Sequence, residues 1–291
     1  MPSINLLDPS LGIQTIMESP AATRGGIPEA RPLASNVLRE AGLEELYSPC
    51  NAHHLVEQAL CPDAGDGDIL RPLFAIMNPE LMMTLPPYQT ASGIADIMAH
   101  CMERYFSHTK ENELTDRLLE AVMLTMIKEG KRVMKDPSNY DARANIMWAA
   151  MVAQNNSTGV GRAQDWGTHH MDNEIGILYG ASHGAGLALL FPYWMEYAMK
   201  TQGPELFVKY ATRVWGCQND FEHPEVTARE GIQRFRDFMT EIGMPATISE
   251  RGGKEEDIPV MVENMFFGAP NHGNFVKLTP EIAAEIYKMA L

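Results

Sequence analysis

The sequence predicts a mainly α protein: an all-helical domain over residues 84–291, preceded by an incomplete or altered α/β segment over residues 1–83. Three observations carry this reading. Proline and glycine break up the first third of the chain and leave little period in residues 1–35. From Pro87 onward, apolar residues recur at three- and four-residue intervals, the stripe of a helix packed on one face. Glycine and proline then punctuate that stripe where helices stop and start.

Taken in order, SNVLREAGLEELY (residues 35–47) has helical spacing interrupted by a glycine, and CPDAGDGD (61–68) is a loop by composition. LFAIM (73–77), an apolar run bounded by prolines, reads as one buried strand. The domain boundary falls near residues 79–87. QTASGIADIMAHCMERYF opens the first long helix. TDRLLEAVMLTMIKEGKRVM is a long amphipathic one, with Leu118, Val122 and Met126 on one face. DARANIMWAAMVAQNN is rich in small residues and ends at Gly159. GPELFVKYATRVWG ends at a glycine, and HPEVTAREGIQRFRDFMTEIGMP stops at Gly243 and Pro245. In LTPEIAAEIYKMAL, Thr279 is placed to cap and Pro280 to occupy the first helical position.

Composition narrows the function. A length of 291 residues with 45% hydrophobic content supports two ordinary domains or one large one. A formal net charge of −15, with no lysine- or arginine-rich run, argues against nucleic acid and against an anionic membrane surface. No stretch approaches the roughly 20 apolar residues of a membrane span. The N-terminus lacks a basic region followed by an apolar one, so a cytoplasmic protein is expected. The four cysteines, Cys50, Cys61, Cys101 and Cys217, are scattered without a C-x-x-C pair, which fits reduced thiols better than disulfides or thiolate zinc. The 20 methionines fall mostly inside periodic segments and read as core filler.

Two segments carry chemistry. In ADIMAHCMERYF, Asp96 and His100 lie four apart. On a helix that spacing leaves them about 40° apart and roughly 6 Å along the axis, so one turn can offer two ligands to one ion. A carboxylate–imidazole pair at this spacing also serves as an ordinary surface pair or hydrogen bond. In DWGTHHMDNEIGILYGASHGAGLALLFP (165–192), His169, His170 and His183 supply three of the nine histidines, and small residues around His183 permit close backbone approach. One carboxylate with several imidazoles and no cysteine suits Fe(II), Zn(II), Mn(II) or Co(II) better than structural zinc.

From about Leu70 to the C-terminus the chain resembles the iron-containing, group III metal-dependent alcohol dehydrogenases, in their butanol-dehydrogenase-like branch. The resemblance rests on FAIMNPELMMTLPPYQTASGIADIMAHCMERYF, DWGTH…GASHGAGLALLFP and the terminal GNFVKL…EIYKMAL. It implies a dehydroquinate-synthase-like, iron-alcohol-dehydrogenase fold. It also implies that Asp96, His100, His169 and His183 hold one divalent metal, Fe2+ or Zn2+. The implied reaction is hydride transfer between NADPH or NADH and a small-molecule alcohol or aldehyde, with the metal polarising the substrate oxygen. A homo-oligomer is compatible with the family.

Two departures stand out. The family commonly carries a further histidine four positions after the third ligand; here that position is Asn173, which has no proton to exchange near neutral pH. His170 and Tyr179 are the candidate replacements. The family's glycine-rich G-G-G-S nucleotide turn also has no match in residues 1–69, so the cofactor-binding residues are unassigned. Two readings follow: a metal- and NAD(P)H-dependent oxidoreductase, or a metal-binding helical domain without catalysis of its own. Metal-assisted hydrolysis is disfavoured, because no general base is evident beside the ligands.

Overall fold

The computed structural model describes residues 77–291, which form one unit of nine helices and no strand among the described residues. The expected helix over 35–47, the loop over 61–68 and all but Met77 of the expected strand lie outside the described residues.

Helix α1 spans Pro87–Tyr105, with prolines at its start, where a missing N–H costs nothing. Helix α2 (Glu113–Lys135) is the amphipathic helix expected, but its buried face is Leu119, Val122, Met123, Met126 and Val133. Leu118 is a correction: it is 41% exposed, one position off the stripe, because 100° per residue carries it past the core-facing edge. Helix α3 (Tyr140–Gln154) is capped by Asn139 and ends before Gly159, which instead closes a short 3-10 turn over Ser157–Gly159.

Helices α4 (Gly167–Tyr179) and α5 (His183–Gln202) divide the histidine-rich segment, with Gly180 in left-handed backbone at the break. Helix α6 (Glu205–Val214) and helix α7 (Pro224–Glu241) follow, and α7 stops where expected. A short helix, α8 (Ile258–Phe266), has no counterpart in the sequence reading. In α9 (Pro280–Met289) the Thr279 side chain accepts from the Ile282 N–H, the cap its position promised.

α1 lies at the centre, packed against α2, α3 and α5, while α5 also meets α4, α7 and α9. α5 is apolar nearly all round: Leu187, Leu189, Leu190, Phe191, Trp194 and Met195 are fully buried. The close approach of α1 and α5 requires a glycine. An ideal Cβ on Gly184 would stand 1.9 Å from the Ser92 carbonyl oxygen. A glycine there brings the first turn of α5, with His183, against the turn of α1 that carries Asp96.

Candidate metal centre

α1 presents Asp96 and His100 on one buried side, with His100 Nε2 3.5 Å from Asp96 Oδ1. α4 presents His169 from its first turn, and α5 begins with His183, whose Nε2 lies 3.4 Å from the same Asp96 oxygen. Ligand-competent atoms of Asp96, His169 and His183 all lie within 4.8 Å of one another. His100 borders this trio, its ring edge-on to that of His169 with centroids 4.9 Å apart. Two segments separated by more than sixty positions thus converge, and all four sequence-predicted ligands meet in one place.

The surroundings are largely acceptors. Asp96 Oδ2 accepts from Gln154 Nε2 at 3.1 Å, whereas its buried Oδ1 accepts no hydrogen bond among the described residues. Glu103, fully buried one turn beyond His100, accepts from the Trp166 N–H (2.8 Å) and the His169 N–H (3.1 Å) and lies 2.8 Å from His169 Nδ1. Asp172 pairs with His183 Nδ1. Asp165 ties the C-terminal loop to the site by accepting from the backbone N–H groups of Asn274, Phe275 and Val276. Trp166, immediately before α4, adopts φ 65°, an uncommon conformation for a bulky residue that costs on the order of 1–3 kcal/mol. Its ring packs edge-on against both His100 and His169.

This crowding shifts the titrations. Burial pushes Asp96 up to about 6, with the His183 charge opposing and the Asp172 charge adding. Burial works against a charged His183, but the Asp172 charge and hydrogen bond, and then Asp96, outweigh it and lift the imidazole to about 9. Burial, then the charge of Asp165, drives Glu103 well above the carboxylate range despite its backbone hydrogen bonds. Burial pushes the Cys101 thiol up to about 12, and the clustered donor atoms are the oxygen and nitrogen of Asp96, His169 and His183. A buried carboxylate with three imidazoles is costly on its own account and fits a divalent transition ion.

The remaining predicted residues all lie on α4. His170 is exposed and stacks on His272, centroids 4.1 Å apart. Burial in that stack and then the His272 charge push it down to about 4, leaving it neutral at pH 7. Tyr179, at the far end of α4, donates its hydroxyl to Asp257 at 3.0 Å. Burial and that carboxylate push it up to about 12. Asn173 is half-buried on α4, one turn after His169.

The model of the Fe-containing alcohol dehydrogenase family, C-terminal, matches residues 90–291, more than two thirds of the chain and the whole of this site. The chain belongs to the Fe-containing alcohol dehydrogenase family. Among curated family relatives, the NADH-dependent butanol dehydrogenase B of Clostridium acetobutylicum is 37% identical over 76% of this chain and 57% of its own length. The NADPH-dependent aldehyde reductase YqhD of Escherichia coli is 32% identical over the same shares. The solved substrate- and cofactor-free form of that reductase superposes with a TM-score of 0.72 at 31% identity, covering 76% of this chain and 58% of its own. The NADH-dependent butanol dehydrogenase A of Thermotoga maritima gives 0.72 at 30%, covering 77% and 57%. The chain therefore spans little more than half the length of these family relatives. A second model, Type III secretion system YscX, matches residues 4–78, almost wholly upstream of the described helices.

The resemblance read from the sequence is thus borne out for the family and for the helical fold. Glu103, Gln154, Asp165 and Asp172 were not singled out from the sequence. A usable signal existed for two of them: Glu103 follows His100, and Asp172 follows His169, by three positions, on the same helix face.

Proposed function

We propose that Asp96, His100, His169 and His183 hold one divalent metal, Fe2+ or Zn2+, and that the chain is an NAD(P)H-dependent alcohol dehydrogenase or aldehyde reductase acting on short-chain alcohols or aldehydes. The observation that carries this reading is the meeting of a carboxylate from α1 and two imidazoles from α4 and α5 within 4.8 Å, inside a family domain. When bound, the ion supplies Lewis-acid polarisation of a substrate oxygen and NADPH or NADH supplies the hydride.

The chain's own residues do the rest. Gln154 holds one oxygen of Asp96 and so turns the other toward the imidazoles. Glu103 fixes the turn that aims His169, through the Trp166 and His169 N–H groups. For proton exchange, Asn173 offers only hydrogen bonds. The Tyr179 hydroxyl is already committed to Asp257, and the exposed His170, held down to about 4, is a proton acceptor that carries no proton to give near pH 7. Buried free Cys101 and Cys217 support a cytoplasmic setting, and no helix among the described residues is long and apolar enough to cross a membrane. A homo-oligomer is part of the same reading.

A second reading has its own support. Residues 4–78 match a different family model and residues 1–69 hold no glycine-rich nucleotide turn, which supports a metal-binding helical domain without catalysis of its own. Fluorescence titration of NADPH and then NADH into the metal-loaded protein separates the two. Saturable binding followed by metal-dependent butanal reduction supports the enzyme. No binding up to millimolar nucleotide leaves the metal-binding domain.

A further inference from the structure

His183 is held from behind. Its Nδ1 meets Asp172, a side chain only 2% exposed, while its Nε2 faces Asp96 Oδ1 at 3.4 Å. An ionised carboxylate only accepts hydrogen bonds, so Nδ1 must carry the hydrogen and Nε2 is the atom left to coordinate. The two helices interlock to make this contact. Asp172 follows His169 by three positions on α4, and Gly186 follows His183 by three on α5, so each pair shares a helix face. An ideal Cβ on Gly186 would stand 1.7 Å from Asp172 Oδ1 and 3.3 Å from the Ile175 Cβ. Any side chain at 186 evicts the carboxylate. Glycine is a poor helix former, and the seat its missing side chain leaves in the first turn of α5 is filled by Asp172.

We propose that Asp172 is a positioning residue for the metal centre, fixing the tautomer and direction of His183, and that Gly186 is glycine in order to seat it. This rests on the reading of the cluster as a divalent-metal site. Glu103 stands in the corresponding place behind His169, but it also accepts from two backbone N–H groups, so its removal would disturb the α4 turn itself. Among the described residues the Asp172 carboxylate accepts from no backbone N–H, so its role can be isolated.

The test uses the full chain with Co2+ and Zn2+, reading affinity by competition with a chromophoric chelator and geometry by the Co2+ d–d spectrum. Circular dichroism checks the fold. Asp172→Ala is expected to weaken binding about 10- to 100-fold and to change the Co2+ spectrum, the range seen when an outer partner of a ligand histidine is removed. Gly186→Ala is expected to reproduce both effects with Asp172 intact. Asp172→Asn keeps an acceptor oxygen for Nδ1–H and is expected to recover part of the affinity and the wild-type spectrum. Should Asp172→Ala fail to fold, Gly186→Ala and Asp172→Asn carry the comparison. Wild-type affinity and spectrum in the folded variants would overturn the positioning role while leaving the metal reading intact. Failure of the wild type itself to bind either ion would remove the metal reading and this proposal with it.

Discussion

Asp96 on α1 and Asp116 on α2 have side chains of equal exposure, 13%, yet they titrate in opposite directions. Asp116 meets Arg162 and Lys209, and its neighbour Glu120 meets Arg117, Arg213 and the Tyr105 hydroxyl. Burial opposes ionisation of Asp116, but the hydrogen bonds and charges of Lys209 and Arg162 outweigh it and hold the carboxyl below its ordinary value. Asp96 sits deeper among protein atoms and faces imidazoles and a second carboxylate, so burial wins and it rises to about 6. The comparison teaches that exposure alone does not decide the state of a buried acid. Permanent cations close the α2 cluster. The α1–α4–α5 cluster is built of carboxylates and imidazoles, and under the proposed metal reading protons and the ion compete for it.

Asp96→Ala and His183→Ala are each expected to lower retained metal from about one equivalent toward zero, a loss greater than the roughly 10- to 100-fold of an outer partner. Elemental analysis after dialysis reads this, and full stoichiometry in both variants would refute the ligand assignment. Asp116→Ala strands the buried Arg162 guanidinium and is expected to cost about 3 kcal/mol in denaturant melts, with metal content unchanged. Loss of metal in that variant would show that the two clusters are not independent.

The same aspartate sets a pH dependence. The folded pKa of Asp116 lies below its unfolded value, so its contribution is complete above about pH 4 and is lost as pH falls through the folded pKa. Asp116→Asn is therefore expected to flatten the acid limb of a stability–pH curve, and an unchanged limb would assign the acid sensitivity elsewhere. The smallest effect concerns Asn173. Restoring a titratable group by Asn173→His is expected to raise turnover, by about tenfold, short of the 10²–10⁴ of a fully engaged general acid. No gain in rate would place proton exchange with solvent or with His170.

Much of this was legible before any fold was seen. The four-residue step from Asp96 to His100 is a local fact of helix geometry, as is the Thr279–Pro280 start of α9. Leu118 was misplaced because one residue is 100° of turn: it lies beyond the edge of the face that buries Leu119, Val122, Met123 and Met126. Helix α8 was missed because its nine residues are too short for periodicity to declare. Tyr179 looked available as a proton donor only because Asp257, 78 positions away, was invisible as its partner.

The sequence by itself determined the helical class, the kinds of atom offered to a metal, and the pairing of those atoms within each helix, because these depend on neighbours a turn apart. Only the tertiary structure decided that the α1 pair meets the α4 and α5 histidines, that Glu103 and Asp172 stand behind two of them, and that Gly184 and Gly186 are empty for Ser92 and Asp172. Those contacts join residues far apart along the chain. They exist only once buried apolar faces have fixed which helices touch and how closely.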